Sequence, residues 1–428
     1  MKKTARMAAL EALCDLRRNG VFAADALQKT GADMDAREAA LAYCLTMTAV
    51  QNGRLIDAAL DEVCNGKLEP LVRDVLRLGA AQLLFLRVPP HAAVSESVSQ
   101  AKAACPRAAG LVNALLRKLS GQTPDSVAQR LGGEAGSRPW IALRYSLPDW
   151  LMDELLARLT LEEAGAFAAA TGEGRPVTLI ENPLKPYKGA ESVGIPHPVL
   201  PKARMIDGAP ARAPGFADGC WLVADAGAYA VASAVGEQPD IWDTCAAPGG
   251  KSFLMAMNTR RSVLATDIAP KKLEKLRAGA RRLGLEAMLE VRQADASEFQ
   301  PGRAFDAVLC DVPCSGLGTL ANKPDIRYKK PDTFGRLPQV QRSILDNAAK
   351  AVKPGGALVY ATCTFRQAEN GDVTDGFLAD RPEFTREGFA LPFAGKPEDL
   401  RADNGEVTLW PHLHGTDGFY LCKMRKKL

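Results

Sequence analysis

Two cysteines stand where the sequence has most to say about chemistry. Cys314 lies in Asp311-Val312-Pro313-Cys314-Ser315-Gly316 and Cys363 in Tyr360-Ala361-Thr362-Cys363-Thr364, each just after an apolar run that reads as a strand. If the two runs are neighbouring strands, both thiols face one crevice. A thiolate that adds to carbon 6 of a cytosine makes carbon 5 nucleophilic toward an electrophilic methyl group. A base must then take the proton from carbon 5 before the thiolate can leave. That sequence of events needs a thiolate, a base or second thiol, and a group to hold the ring. Cys363, Cys314 and Asp311 supply these types, and their chemistry alone does not rank the two cysteines. Free cysteine is among the most buried residue types, so Cys14, Cys44, Cys64, Cys105, Cys310 and Cys422 are expected to be inert filler.

A second constellation is the loop Asp243-Thr244-Cys245-Ala246-Ala247-Pro248-Gly249-Gly250-Lys251-Ser252, which joins a strand to a helix. Its two glycines let backbone approach a ligand at the helix N-terminus. A phosphate-binding Walker loop would require glycine at position 245, where this chain has Cys245, and the dinucleotide pattern GxGxxG is missing. A nucleoside triphosphatase is therefore the weaker reading. A cofactor with a ribose and an adenine but no phosphates fits better, with Asp267 and then Asp295 following the next two strands. Either aspartate taken alone reads equally well as a helix cap. As a series they favour S-adenosylmethionine, whose sulfonium would suit a carboxylate such as Asp311.

These residues require a particular scaffold. From about Asp240, apolar runs at 240–244, 262–266, 289–292, 305–310 and 357–360 alternate with amphipathic stretches, notably Lys271 to Leu283 and Leu337 to Val352. Such βαβ periodicity predicts a mainly parallel, doubly wound sheet with the ligand at the carboxyl ends of its strands. Residues 6 to about 120 show three- and four-residue apolar spacing instead, broken at Asn19-Gly20, Asn52-Gly53 and Pro89-Pro90, and predict an all-helical domain. Gly121 to Arg138 reads as a linker. The stretch 140–235 is less regular, with a helix after Leu147-Pro148-Asp149-Trp150 and a strand at Val177-Thr178-Leu179-Ile180. The expected domains are 1–130, 140–235 and 236–428.

Composition sets the outer limits. With 428 residues, 47% of them hydrophobic, the chain is too long for one ordinary core and too apolar for disorder. No run approaches the roughly 18 uncharged apolar residues of a membrane span, and Met1-Lys2-Lys3-Thr4-Ala5-Arg6 leads into Glu11 and Asp15 rather than a signal-like core. Ten cysteines without a CxxC pair, beside only four histidines, argue against a disulfide framework and a structural zinc site. A reducing cytoplasm and no metal are the expectation. A net charge of +4 permits an anionic partner without demanding one.

The motifs Asp-Thr-Cys-Ala-Ala-Pro-Gly-Gly-Lys-Ser, Asp-Val-Pro-Cys-Ser-Gly and Tyr-Ala-Thr-Cys-Thr, the last followed by Glu369-Asn370, resemble those of the RNA cytosine-C5 methyltransferase (NOL/NOP2/Sun) family. The resemblance covers about residues 140 to 428, including the ending His414-Gly415-Thr416-Asp417-Gly418-Phe419-Tyr420. It implies a Rossmann-like catalytic domain, with Cys363 as nucleophile and Cys314 assisting release of the methylated RNA. It implies cofactor contacts from Cys245, Ala246, Ala247, Pro248, Gly249, Gly250, Lys251, Asp267, Asp295 and Asp311. Residues 1 to about 130 resemble the NusB-like RNA-binding domain, chiefly through helix layout and Val112-Asn113-Ala114-Leu115-Leu116-Arg117-Lys118-Leu119. A NusB-like domain ahead of the catalytic one is similar to the RsmB (Sun, Fmu) subfamily. That likeness implies a cytidine in 16S ribosomal RNA as target. A monomer is the expectation. One departure is Ile180-Glu181-Asn182, where the family usually has Arg-Val-Asn, so one arginine contact to RNA is missing.

Basic clusters at Lys323, Arg327, Lys329 and Lys330, and at Lys423, Arg425, Lys426 and Lys427, are candidate phosphate contacts that would hold RNA while the base is turned into the pocket. A solvated charged face explains such runs about as well. The competing readings are the same chemistry on transfer RNA or another RNA, and a non-catalytic RNA-binding assembly factor. The two cysteines count against the latter.

Overall fold

The computed structural model describes residues 4–30, 34–172, 174–394 and 401–428; the opening Met1-Lys2-Lys3 lies outside the described residues. The chain divides into two compact units. One comprises Met1–Glu173 with Lys323–Lys329, the other Gly174–Asn322 with Lys330–Leu428.

The first unit is all-helical, from Ala5–Asn19 to Leu161–Gly172. Its core gathers the apolar stripes of these helices, with Leu45, Leu55, Ile56, Leu60, Val75, Leu76 and Leu116 fully buried. Gly20 ends the first helix in the left-handed conformation and donates its N–H to the Leu16 carbonyl, the role its place after Asn19 suggests. The stretch expected to be a linker contains the helix Pro124–Gly132. Thr123 and Ser126 form a capping box there, and Val127 and Ala128 are fully buried. Gly, Ser and Thr at a helix start act as caps, and the same composition reads as a linker when burial is unknown. The helices Arg138–Arg144, Asp149–Leu156 and Leu161–Gly172 also belong to this unit, so it extends well past residue 130.

A short segment from far along the chain completes the helical unit. Asp325 accepts the Ala23 N–H at 2.9 Å, at the start of the helix Ala23–Thr30. The Arg327 guanidinium donates to the carbonyls of Gln51 and Tyr145, and the Tyr328 hydroxyl to that of Val50. Sequence distance hid these contacts.

The second unit opens with a small antiparallel sheet of Val177–Glu181, Ile195–Pro196, Ala203–Ile206 and Trp221–Val223. Ile180, which stands where the family pattern has arginine, is buried in the core. Asn182 is buried too, donating to the carbonyls of Gly219 and Leu283 and accepting the Leu184 N–H. The asparagine of this motif is thus a knot in the backbone.

The main sheet has strands β1 (Ile241–Asp243), β2 (Val263–Asp267), β3 (Leu289–Gln293), β4 (Phe305–Asp311), β5 (Val352–Thr362), β6 (Phe384–Arg386), β7 (Glu406–Leu409) and β8 (Phe419–Lys426). They run in the order β6-β8-β5-β4-β1-β2-β3, with β7 also paired to β8. The pairs β1–β2, β2–β3, β1–β4 and β4–β5 are parallel, and β8 is antiparallel to β5. Alternation along each strand feeds two separate cores. Ile241, Val263, Ala265, Ala307, Leu309, Val359 and Ala361 face one, packed against the helices Ala226–Val235, Gly250–Thr259 and Pro270–Leu283. Trp242, Leu264, Val308, Cys310, Leu358 and Tyr360 face the other, against Leu337–Ala349 and Gly371–Asp380. Burial on both faces explains why these strands read as continuous apolar runs. Chain direction across the sheet reverses between β1 and β4, which opens a crevice at their carboxyl ends.

Candidate active site

Four of the expected residues meet at that crevice. Asp243 ends β1, Asp311 ends β4 and Cys363 follows β5, while Cys314 sits three residues beyond β4. The Cys314 and Cys363 sulfurs are 3.0 Å apart, and the Cys363 N–H points at the Cys314 sulfur at 3.2 Å. Both cysteines are half-buried. Its hydrogen bond to Cys363, its burial and the nearby Glu369 carboxylate push the Cys314 thiol well above its ordinary range.

The two cysteine loops are laced together by backbone and side chain. The Gly318 N–H donates to the Cys363 carbonyl at 3.0 Å and the Val312 N–H to that of Ala361. The Ser315 hydroxyl bonds the Thr364 hydroxyl at 2.8 Å. Asn370 accepts from the Thr362 hydroxyl and donates to the Thr364 carbonyl, which fixes the turn after Cys363. Gly318 must be glycine for room: its backbone packs against that of Gly418, where a Cβ on either residue would overlap the other chain segment.

Lys251 leaves the cofactor loop and reaches Asp311, with its Nζ 2.7 Å from Oδ2 and 4.9 Å from the centre of the Phe419 ring. Burial opposes the ammonium charge, but the Asp311 carboxylate outweighs it and the Lys251 pKa is raised. The lysine of a phosphate loop would point back into the loop. Here it is committed to a carboxylate, which counts against a triphosphate ligand. Behind the pair lies Asp243, fully buried, one oxygen accepting the Ser252 hydroxyl at 2.6 Å and the other without a partner. Burial, assisted by the Asp311 charge, pushes its carboxyl up to about 7.

The loop itself is shaped by Gly249, at φ +117°, where a Cβ would run into the Phe253 ring. Cys245 lies half-buried against the second core, and burial raises its thiol. Ala246 donates to the Thr266 carbonyl, and Ala247 donates to Asp267 Oδ2 at 3.1 Å. The other Asp267 oxygen accepts the Ala269 N–H at 2.8 Å, next to the helix Pro270–Leu283. Asp267 thus fastens the loop to β2 while each oxygen keeps a further lone pair. Asp295 is exposed and accepts from the Ser297 N–H and hydroxyl, which hold its carboxyl below the usual range. Ile268, the residue after Asp267, is 62% exposed, a large apolar side chain presented to solvent. It escaped notice because one apolar residue at a strand end carries no signal until its exposure is known. Carboxylates after two successive strands, an exposed Ile268 next to the first, and a loop lysine paired with Asp311 suit a ribose-adenine cofactor without phosphates.

The basic residues separate. Lys323 and Lys330 are exposed, and Lys329 lies 5.5 Å from the Phe22 ring centre. Arg327 is 3% exposed and spent on two helix-end carbonyls, so it is a tie within the helical unit and not the surface phosphate contact expected from its neighbours. In the second cluster, Lys423 and Arg425 pair with Glu387, while Lys426 and Lys427 donate to the carbonyls of Val352 and Pro382. Of the cysteines expected as filler, Cys310 and Cys422 are buried, whereas Cys44 is exposed. Among the described residues there is no group of three or more His, Cys, Asp or Glu able to hold a metal ion, and no helix long and apolar enough to cross a membrane.

Both halves of the chain match known proteins. Residues 230–425 match the family model of the 16S rRNA methyltransferase RsmB/F, and residues 3–121 that of the NusB family. The chain is 33% identical to a probable ribosomal RNA small subunit methyltransferase B of Synechocystis, covering 89% of this chain and 90% of that one. It is 32% identical to the Bacillus subtilis protein of the same name over the whole of both chains. The Salmonella newport ribosomal RNA small subunit methyltransferase B is 33% identical, with 94% and 93% covered. Among solved structures, the fold is similar to that of PH0851 (TM-score 0.78, 22% identity, all of both chains). It is also similar to a methyltransferase homolog from Pyrococcus horikoshii (TM-score 0.54, 24% identity, 67% of this chain and 97% of that one). The chain belongs to the ribosomal RNA small subunit methyltransferase B family and is an rRNA methyltransferase.

Proposed function

We propose that the protein methylates carbon 5 of a cytidine in 16S ribosomal RNA through a covalent adduct between Cys363 and carbon 6 of the base. The observation that carries this reading is the 3.0 Å approach of the Cys314 and Cys363 sulfurs at the ends of neighbouring parallel strands. A protonated Cys314 donates a hydrogen bond to its neighbour and so favours the thiolate on Cys363. That thiolate adds to carbon 6, and Asp311, held by Lys251, orients the ring through its polar edge. Bound S-adenosylmethionine supplies the electrophilic methyl group, and the candidate contacts are the 245–251 loop, Asp267, Asp295 and Asp311. Once carbon 5 is methylated its proton passes to a solvent base. The freed electron pair re-forms the carbon 5–carbon 6 double bond, and the carbon–sulfur bond breaks to return the Cys363 thiolate. Cys314, beside the leaving sulfur, acts at this release step.

The helical unit, and Lys323 and Lys330 at the surface, are assigned to RNA binding. NusB-family similarity at residues 3–121 and the names of the relatives favour ribosomal over transfer RNA.

The test is methyl transfer to 16S rRNA and to tRNA with Cys363→Ala and Cys314→Ala. Cys363→Ala is expected to lose turnover and form no covalent RNA complex, whereas Cys314→Ala accumulates one. The reverse pattern would exchange the two roles, and labelling of tRNA alone would replace the substrate. Binding of RNA without any transfer would leave an assembly factor.

A further inference from the structure

Cys314 touches Cys363, but nothing in the sulfur pair itself fixes where the Cys314 loop stands. Besides the bonds of Val312, Ser315 and Gly318 to the Cys363 strand and loop, two fully buried polar side chains, Glu369 and Gln341, hold it. Glu369 Oε2 accepts the Ser315 N–H at 2.8 Å and the Gln341 side-chain amide at 3.0 Å. The same Gln341 amide donates to the Pro313 carbonyl at 3.0 Å. The peptide groups immediately before and after Cys314 are therefore both held by one hydrogen-bonded pair.

The pair is itself anchored from the other cysteine's side. Glu369 ends the short turn Gln367–Glu369 that follows the Cys363 loop, and its backbone carbonyl accepts the Tyr360 hydroxyl of β5 at 2.6 Å. Gln341 projects from the helix Leu337–Ala349. Arg366 Nη1 lies 3.4 Å from Glu369 Oε1. A buried carboxylate is expensive to desolvate unless its oxygens are well occupied, and here the occupation is spent on the backbone around Cys314.

We propose that Glu369 and Gln341 form a positioning clamp for Cys314 and so govern product release rather than methyl transfer. This inference rests on the release role assigned to Cys314 above. The hydrogen bonds of the clamp go to the backbone on either side of Cys314, so both residues act through Cys314 rather than on substrate. Glu369→Asp withdraws the carboxylate by one carbon–carbon bond, about 1.5 Å, which takes the Ser315 N–H out of hydrogen-bond range. Glu369→Gln keeps the reach and leaves a carbonyl oxygen able to accept both donors.

The experiment follows the full-length enzyme with S-adenosylmethionine and 16S rRNA. It reads the first-turnover methylation rate, the steady-state rate and the amount of denaturation-resistant protein–RNA adduct, with thermal melting as a check on folding. Glu369→Asp is expected to keep first-turnover methylation within about threefold, lose at least tenfold in steady-state rate, and accumulate adduct as Cys314→Ala does. Glu369→Gln restores turnover to within about threefold of the parent. Should Glu369→Asp fail to fold, Gln341→Leu carries the test with the same adduct signature expected. Equal losses of first and later turnovers without adduct would overturn the clamp, as would full turnover in Glu369→Asp or a Glu369→Gln variant as impaired as Glu369→Asp. Adduct in Cys314→Ala but in neither clamp variant rejects the clamp alone. Absence of adduct from Cys314→Ala as well rejects the parent reading and the clamp with it.

Discussion

Lys251 and Asp311 form a closed ion pair across the crevice, 2.7 Å from Nζ to Oδ2, with the ammonium also lying 4.9 Å from the Phe419 ring centre. One residue comes from the cofactor loop and the other from the end of β4, so the pair ties the two halves of the site at the reversal point of the sheet. Its geometry separates base orientation from cofactor affinity. Lys251→Met is expected to lower the single-turnover methylation rate about a hundredfold, roughly 2.7 kcal/mol. The S-adenosylmethionine dissociation constant should change less than tenfold, because the ammonium faces Asp311 and not the loop interior. Calorimetric titration beside single-turnover kinetics checks this, and a larger loss in cofactor affinity than in rate would contradict it.

Asp243 gives stability a pH dependence of known sign. Its folded carboxyl is pushed up from an ordinary 3.8 to about 7, so the folded state binds the proton more tightly than the unfolded chain does. The associated stability is complete below about pH 4 and is lost as pH rises through about 7, on the order of 4 kcal/mol if the full shift acts. Asp243→Asn keeps a polar group of the same shape and removes the titration. Urea unfolding at pH 5 and pH 8 should show a smaller fall in stability for the variant than for the parent, and equal falls would refute the assignment.

The basic residues after the Cys314 loop should part into two kinds of effect. Arg327→Met removes buried hydrogen bonds to Gln51 and Tyr145 and should destabilise by about 2–4 kcal/mol. It should leave the salt dependence of RNA binding unchanged. Lys323→Ala and Lys330→Ala, at exposed positions, should leave the melting temperature unchanged and each flatten the log–log salt slope by about 0.7 if the phosphates are single-stranded. Filter binding over a range of salt concentrations, beside thermal melting, distinguishes the two.

Gly318→Ala tests the closeness of the loops. The added methyl would overlap the Gly418 backbone, and the Gly318 N–H that holds the Cys363 carbonyl would move with it. A destabilisation of about 1–3 kcal/mol is expected from the overlap, with methyl transfer falling more than tenfold in protein that remains folded. Wild-type rates in a folded variant would show that the loop tolerates the shift.

The order of strands and helices in the catalytic half was legible because βαβ periodicity, once both faces of a sheet are covered, leaves few topologies. The same pattern placed Asp243, Asp267, Asp311 and Cys363 at strand ends, since a strand end is a property of local sequence. Local sequence also contained the cap signals at Thr123 and Ser126, although the Gly- and Ser-rich surroundings read as a linker until Val127 and Ala128 proved buried. What no local pattern contains is the partner of a side chain. Arg327 looked like its exposed lysine neighbours, yet its guanidinium ends on carbonyls contributed by Gln51 and Tyr145. Glu369 and Gln341 carried no readable role because the group they hold, the backbone around Cys314, is brought to them only by the packing of β4, β5 and a helix. Sequence by itself determined the chemical types and their places on strands and loops, since these follow from periodicity and turn residues. Tertiary structure alone decided how close the two thiols lie, which cation is spent on the fold and which buried carboxylate holds the backbone around Cys314. Each of these depends on distances of a few ångströms between segments far apart in the chain.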